Sequence, residues 1–294
     1  MMTAFKQANV IYNPNSTGDS QTIAKEFCDQ LRRQFPKIDV KLTETTHAGH
    51  GEELGYELTT AGDGQILLVS VSGDGGYNEL VNGVMKAVDA GSPAPICAIL
   101  PGGNANDHYT FIAKRPLVEA IAAEGLTRLD LLKVIAAQTR YAHSYVGLGL
   151  TPLVAVELNK HKLSAIKEMW LSLQTFWKFK PFKIIVNGRQ RTLDSLIMAN
   201  IGVMAKHLTL DPDAGPPQDG RFEVLRWSHN HKLRLVQQLA KAAIGKTDSP
   251  ESVSTFTFTT VKSMPMQLDG ELIKLEAQQE VTVTSAASKL RTYR

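Results

Sequence analysis

The chain has 294 residues, with 32 Lys plus Arg against 29 Asp plus Glu and a hydrophobic fraction of 43%. That length accommodates two domains at about 150 residues each; the composition excludes a disordered chain, and a net charge of +3 gives no argument for nucleic-acid binding. No window approaches the roughly 18 apolar residues of a membrane span. The opening MMTAFKQANVIYN lacks the basic head and apolar run of a signal peptide, and Cys28 and Cys97 are too few for a disulfide scaffold, so a cytoplasmic protein is expected.

The first third alternates strand and helix signals. Gln7–Asn13 is a short apolar run that ends in the turn-rich NPNSTGDS. Ile23, Phe27, Leu31 and Phe35 recur every four residues and predict a helix over Thr22–Phe35. Asp39–Thr45 alternates like a half-exposed strand, and His50–Thr60 reads as a helix. Gln65–Val71 is continuously apolar, as a strand covered on both faces must be. Asn78–Ala90 carries Leu80, Val81, Val84 and Val88 on one helical stripe, and Pro95–Leu100 is a second buried-type strand. Strands separated by helices of this length imply a parallel, helix-covered sheet.

After about Leu126 strands dominate. They are predicted over Leu126–Ala136, Tyr141–Gly147, Phe182–Val186, Leu193–Val203, Arg221–Trp227, Ser254–Val261 and Glu280–Ala286. Helices are predicted over Pro152–Lys162, Ser164–Phe179 and His231–Ile244. The expected fold is α/β plus β-rich: a parallel-sheet domain over residues 1–125, then an antiparallel, sandwich-like domain over 126–294. The extreme C-terminus has the option of returning to the first domain.

The most informative stretch is VSGDGGYNELVNGV, where a buried strand runs into Gly73-Asp74-Gly75-Gly76 and a helix follows from about Asn78. Glycines at such a turn let backbone N–H groups approach a phosphate, and the helix adds its positive end. Asp74 does not attract a phosphate, but a carboxylate there suits Mg²⁺ or its waters. Asn13-Pro14-Asn15-Ser16-Thr17-Gly18, Thr45-Thr46 and Pro101-Gly102-Gly103-Asn104 end the other three strands on the same edge, where open α/β sheets bind ligands. In Leu268-Asp269-Gly270-Glu271 an extended backbone would put both carboxylates on one face, one as base and the other as its orienter, but these four residues alone read first as a polar hairpin turn. The loop DPDAGPPQDG offers Asp219 to a divalent cation, though its prolines exclude an EF-hand.

Two apparent motifs fail. AKAAIGKT lacks the first P-loop glycine and closes a helix, and GLGLTP lacks the third glycine of a dinucleotide fingerprint. His229 and His231, two apart after a strand, have the spacing to chelate a metal but read first as solvated loop histidines. Trp170, Phe176, Trp177, Phe179 and Phe182, interleaved with Lys167, Lys178, Lys180 and Lys183, suit either a bilayer interface or lipid pocket or a core helix with snorkelling lysines.

VSGDGGYNELVNGV, ILPGGNANDHY, IYNPNSTGDS and LDGEL together resemble the diacylglycerol kinase catalytic-domain family, which includes soluble bacterial diacylglycerol kinases and the sphingosine kinases. The resemblance implies a nucleotide-binding α/β domain like that of NAD kinase, a β-rich domain after it, and an active site between them. It implies that Asn13, Pro14, Asn15, Ser16, Thr17, Thr45, Gly73, Asp74, Gly75, Gly76, Tyr77, Asn78, Glu79, Gly103 and Asn104 bind ATP. It also implies that Asp219 holds Mg²⁺ with carbonyls near Pro216 and Arg221, and that Glu271 is the base, supported by Asp269. Two positions depart from the family, which usually carries Thr at Gly76 and Thr or Ser at Asn104. The expected function is an ATP- and Mg²⁺-dependent lipid kinase, cytoplasmic and transiently membrane-associated. The alternatives are a kinase of a soluble substrate related to NAD kinase, or a nucleotide-binding regulator without catalysis.

Overall fold

The computed structural model describes residues 3–16, 18–149, 180–204, 208–229 and 250–294. The chain forms two compact units, Met1–Leu131 with Ala287–Arg294, and Leu132–Ala286.

The first unit runs β1 (Gln7–Tyr12), α1 (Ser20–Gln34), β2 (Asp39–Glu44), α2 (His50–Ala61), β3 (Ile66–Ser72), α3 (Asp74–Asp89), β4 (Ile96–Pro101), α4 (Asp107–Ile112) and α5 (Leu117–Ala122). The strands are parallel in the order β2-β1-β3-β4, with Tyr12 level with both Glu44 and Val71, and Ser72 with Pro101. All seven residues of β3 are buried, as its unbroken apolar run requires. Asp19 caps α1 by accepting from the Thr22 N–H at 3.2 Å. The stripe Ala24, Phe27, Cys28 and Leu31 then packs into a core with Val10, Leu67, Val69 and Ile96. From β1 the chain goes to β2 on one side and then to β3 on the other. The sheet's switch point therefore lies between the ends of β1 and β3, where doubly wound sheets open a crevice.

Helices α2 and α3 touch backbone to backbone. A Cβ on Gly55 would meet the Leu80 carbonyl oxygen at 2.6 Å, and one on Gly83 would overlap the Glu52 carbonyl. Helix α3 begins at Asp74, one turn before the predicted Asn78: Gly73, extended at φ −83° and ψ −177°, is its N-cap. The Gly-Asp-Gly stretch is thus the first helical turn rather than a loop ahead of it.

The chain leaves this unit within β5 (Leu126–Ile135). Then follow β6 (Thr139–Ala142), β7 (Tyr145–Gly149), β8 (Phe182–Val186), β9 (Arg189–Ala199), β10 (Val203–Met204), β11 (Leu208–Thr209), β12 (Phe222–Ser228), β13 (Glu251–Val253), β14 (Thr255–Thr260), β15 (Met264–Leu268), β16 (Glu271–Leu275) and β17 (Glu280–Tyr293). In the second unit the pairing is antiparallel, β16-β15-β7-β9-β8-β14-β17, with β12 also on β9. Phe256 and Phe258, Val281 and Val283, Val146 and Leu148, and Leu196 and Met198 turn to one core. The intervening threonines face outward, Thr257 to Thr282 at 3.0 Å between hydroxyls. The last residues of β17 return to the first unit, where Arg291 pairs parallel with Ile96 of β4.

Three strand forecasts change. The predicted Tyr141–Gly147 strand breaks at His143-Ser144, whose N–H groups serve a carboxylate described below. Leu193–Val203 ends at Ala199, where the Asn200 N–H turns to the Ser144 carbonyl at 2.7 Å. The strands β15 and β16 on either side of the Leu268–Glu271 turn were not predicted, because Pro265 interrupts the first of them. The helices forecast over Pro152–Lys162, Ser164–Phe179 and His231–Ile244, with His231, AKAAIGKT and the aromatics from Trp170 to Phe179, lie outside the described residues. No helix among the described residues is long and apolar enough to cross a membrane.

Candidate functional site

In the first unit three loops meet at the carboxyl edge. The Asn13 N–H reaches the Val71 carbonyl at 3.4 Å, Gly18 N–H and the Ser16 hydroxyl both donate to the Gly102 carbonyl, and Gly102 N–H donates to Ser72 at 2.9 Å. The segments after β1 and β4 are thereby tied over the end of β3. Glycine is required at this crossing: a Cβ on Gly103 would overlap the Gly73 Cα. Asn106, left-handed at φ 55°, closes the β4 loop with its side chain, accepting from Gly103 N–H at 2.9 Å and donating to the Gly103 carbonyl at 2.8 Å.

Two acids of the motif hold the flanking helices. Asp74 is buried, and its carboxylate accepts from the Asp107 and His108 N–H groups, each at 3.0 Å, at the start of α4. Glu79 does the same for α2, accepting from Gly49 at 2.9 Å and Gly51 at 3.2 Å. Both are charge-assisted caps on amides that a helix leaves unpaired. Each Asp74 oxygen receives a backbone N–H, so the carboxylate ties the start of α3 to the start of α4. This explains how a carboxylate is tolerated beside a phosphate turn. Tyr77 and Asn78 are 0% and 1% exposed and back the turn. The Asn78 side-chain oxygen accepts from Asn82 at 2.9 Å.

The partly or fully exposed residues of the predicted set are Asn13, Pro14, Asn15, Ser16, Thr45, Gly73, Gly75, Gly76, Glu79, Gly103 and Asn104; Thr17 lies outside the described residues. Thr45 is anchored by its N–H to the Tyr12 carbonyl at 2.9 Å. The Tyr12 hydroxyl donates to Glu44 at 2.9 Å, which raises its pKa. No side chain caps α3 at Gly73, so glycine N–H groups and the helix dipole face the rim, an arrangement suited to phosphate. At Gly76 a Cβ would lie 2.7 Å from the Ser72 hydroxyl; the space a larger residue would need there already holds a hydroxyl.

In the second unit, Asp269 and Gly270, at φ 49° and 106°, form the two-residue turn between β15 and β16, with Leu268 opposite Glu271. Of the two readings of this stretch the hairpin turn is the one observed, because Asp-Gly adopts the left-handed turn it favours, and Asp269 and Glu271 do not share one face of an extended strand. Asp269 is fully buried. It accepts the N–H groups of His143 at 2.6 Å and of Ser144 and Tyr145 at 2.9 Å, with His143 Nε2 3.3 Å away. His143 Nδ1 meets the Ser144 hydroxyl at 2.8 Å, and Asn200 donates to the His143 carbonyl at 3.0 Å. His143, Ser144 and Asn200 were missed from sequence; only their juxtaposition across 126 residues gives them meaning. Glu271, by contrast, is exposed.

Asp219 is exposed, and its carboxylate accepts from the Arg221 N–H at 3.0 Å, shaping the loop that also carries Pro216. Burial pushes the nearby Glu223 carboxyl up; its hydrogen bond to Ser252 opposes this, while Asp211 and Asp219 add to it. Among the described residues no group of three or more His, Cys, Asp or Glu is placed to hold a metal.

The segment spanning the rim, residues 7–134, matches the family described as the diacylglycerol kinase catalytic domain. Similarity to curated proteins extends further along the chain. A Staphylococcus epidermidis protein named "Putative lipid kinase" is 29% identical over 249 residues, 77% of this chain and 76% of its own. Sphingosine kinase 1 of Rattus norvegicus is 27% identical over 194 residues, 60% of this chain and 49% of that one. A solved structure described as a diacylglycerol kinase from Bacillus anthracis superposes with a TM-score of 0.73 at 18% identity, covering 100% of this chain and 99% of that one. At that identity it shows a shared fold.

Proposed function

We propose that the chain is an ATP- and Mg²⁺-dependent lipid kinase that transfers the γ-phosphate to a hydroxyl of a diacylglycerol-like substrate at a membrane surface. The observation that carries this reading is the rim of the first unit. Two loops are tied over the end of β3 at the switch point of a parallel sheet, and the partly exposed end of α3 presents glycines. The two acids of the motif are spent on neighbouring amides. Phosphoryl transfer asks chiefly for positioning and charge neutralisation. The α3 end and Ser16, Thr45 and Asn104 would hold the nucleotide, with Asp74 and Glu79 fixing the loops around it rather than touching it.

Mg²⁺ suits the Asp219 loop, since it binds through one or two carboxylates and keeps several waters. The repulsion that Asp211 and Asp219 impose on Glu223 is of the kind a cation relieves. Asp219 with the carbonyls of Pro216 and Arg221 would hold it, and bound Mg²⁺ would neutralise phosphate charge. Glu271 takes the proton from the lipid hydroxyl, and Asp269 positions it through the rigid hairpin turn. The kinship of residues 7–134 with diacylglycerol kinases and the names of the relatives support the substrate class.

The test is transfer of labelled phosphate from ATP to a panel of lipids in mixed micelles, with NAD as a soluble acceptor beside them. Label in a lipid, dependent on Mg²⁺, is expected. Label in NAD alone, or nucleotide binding with no transfer to any acceptor, would overturn the reading.

A further inference from the structure

The second unit has a pocket of about 360 Å³ that the catalytic reading leaves unused. It is lined by Lys180, Pro181, Phe182 and Lys183 at the start of β8, and by Val261, Lys262, Ser263 and Met264 between β14 and β15. Its two walls are joined by the Val261 N–H, which donates to the Lys183 carbonyl at 3.3 Å. Phe182 and Met264 are only partly buried and pack against the unit's core, so the pocket floor is the open end of that core. The three lysines are exposed, and the lining holds no carboxylate. Among the described residues none of the three is in an ion pair, whereas Lys274 pairs with Glu276 at 2.8 Å.

We infer that this pocket is a docking surface for an anionic phospholipid bilayer. Its lysines contact headgroup phosphates, and its floor of Phe182, Val261 and Met264 takes the apolar part of one lipid. Charge complementarity selects this occupant: three ammonium groups with no ion-pair partner among the described residues, around an apolar floor, match a surface that is anionic above and hydrocarbon below. Lysine stems cover apolar surface while their heads reach outward. A neutral protein partner would leave those charges without a counterpart. The inference rests on the lipid-kinase reading for its purpose, since an enzyme with a bilayer-embedded substrate works only while held at that surface.

Each lysine near an anionic leaflet contributes about fivefold to partitioning, so three contribute on the order of a hundredfold. The experiment is vesicle flotation without nucleotide, comparing phosphatidylcholine vesicles with phosphatidylcholine–phosphatidylglycerol vesicles. It uses the full chain and the triple variant Lys180→Gln/Lys183→Gln/Lys262→Gln, with circular dichroism to confirm the fold. The parent should float with the anionic vesicles only, lose binding as salt is raised, and weaken about a hundredfold in the triple variant. Equal flotation of parent and variant, or equal binding to neutral vesicles, would overturn the docking surface. So would release by inorganic phosphate beyond that by chloride at matched ionic strength, which would mark an anion site. Because flotation needs no turnover, failure of phosphate transfer to every micellar lipid would count against the kinase reading and leave the flotation result standing.

Discussion

Asp269 tests the reasoning most directly, because a sequence scan assigns it to chemistry and the structure assigns it to a buried turn. Replacing it by Ala leaves three amides, now bound at 2.6, 2.9 and 2.9 Å, without their acceptor in a site of 0% exposure. Hydrogen bonds to a charged group are each worth about 1.5–3 kcal/mol net. Taking the low end for three coupled bonds gives roughly 4–5 kcal/mol. The left-handed backbone at φ 49° adds about 1 kcal/mol for a residue with a plain Cβ. Domains of this kind are stable by about 5–15 kcal/mol, so Asp269→Ala should bring the second unit close to unfolding at room temperature. Asp269→Asn keeps the volume, one acceptor oxygen and tolerance of the backbone, and should lose about half as much. Urea denaturation read by circular dichroism, with the slope compared between variants, measures both. An Ala variant within about 1 kcal/mol of the parent would show that the three amides find other partners, and the anchoring argument would fall.

Glu271 should behave in the opposite way: Glu271→Gln changes an exposed residue, so the urea midpoint should hold while turnover falls by about 10²–10⁴, read by phosphate transfer in micelles. Gly83→Ala drives a Cβ into the Glu52 backbone and should cost about 1–3 kcal/mol or more, seen as a lower thermal midpoint. Burial pushes the Cys97 thiol from 9.0 up to about 12, so the folded chain keeps a proton that the unfolded chain releases. Stability should therefore decline as pH rises from about 9 towards 12, at about 1.4 kcal/mol per unit. Cys97→Ala should flatten that decline in thermal melts across this range; only partly, because Tyr12 and Tyr293 are raised as well. Asp219→Asn should abolish any rise in melting temperature that Mg²⁺ gives the parent, and an unchanged rise would move the metal elsewhere.

The parallel half of the fold was legible because its signals are local. Ile23 to Phe35 at four-residue spacing, and the unbroken β3 run, each need only their own neighbours. The antiparallel half was legible where threonine alternated with valine or phenylalanine, and obscure where Pro265 masked a strand. At the rim, the loops could be placed from their positions after strands, but the burial of Asp74, Tyr77 and Asn78 could not. Whether a side chain turns to a ligand or to an amide depends on residues such as Asp107 and His108, more than thirty positions away. The turn at Asp269 was legible in its Asp-Gly dipeptide, but the burial of its carboxylate against the amides of His143, Ser144 and Tyr145 was not, because they lie more than 120 positions away.

The return of β17 to the first unit has a consequence for biosynthesis. A ribosome completes β1 to β4 long before it makes Arg291, so the outer edge of β4 waits, unpaired, through the synthesis of more than half the chain. An open parallel edge is a template for foreign strands. A nascent chain stalled in the second unit should be a strong client for holdase chaperones, and a fragment ending at Leu131 should aggregate unless the peptide Ala287–Arg294 is supplied in trans.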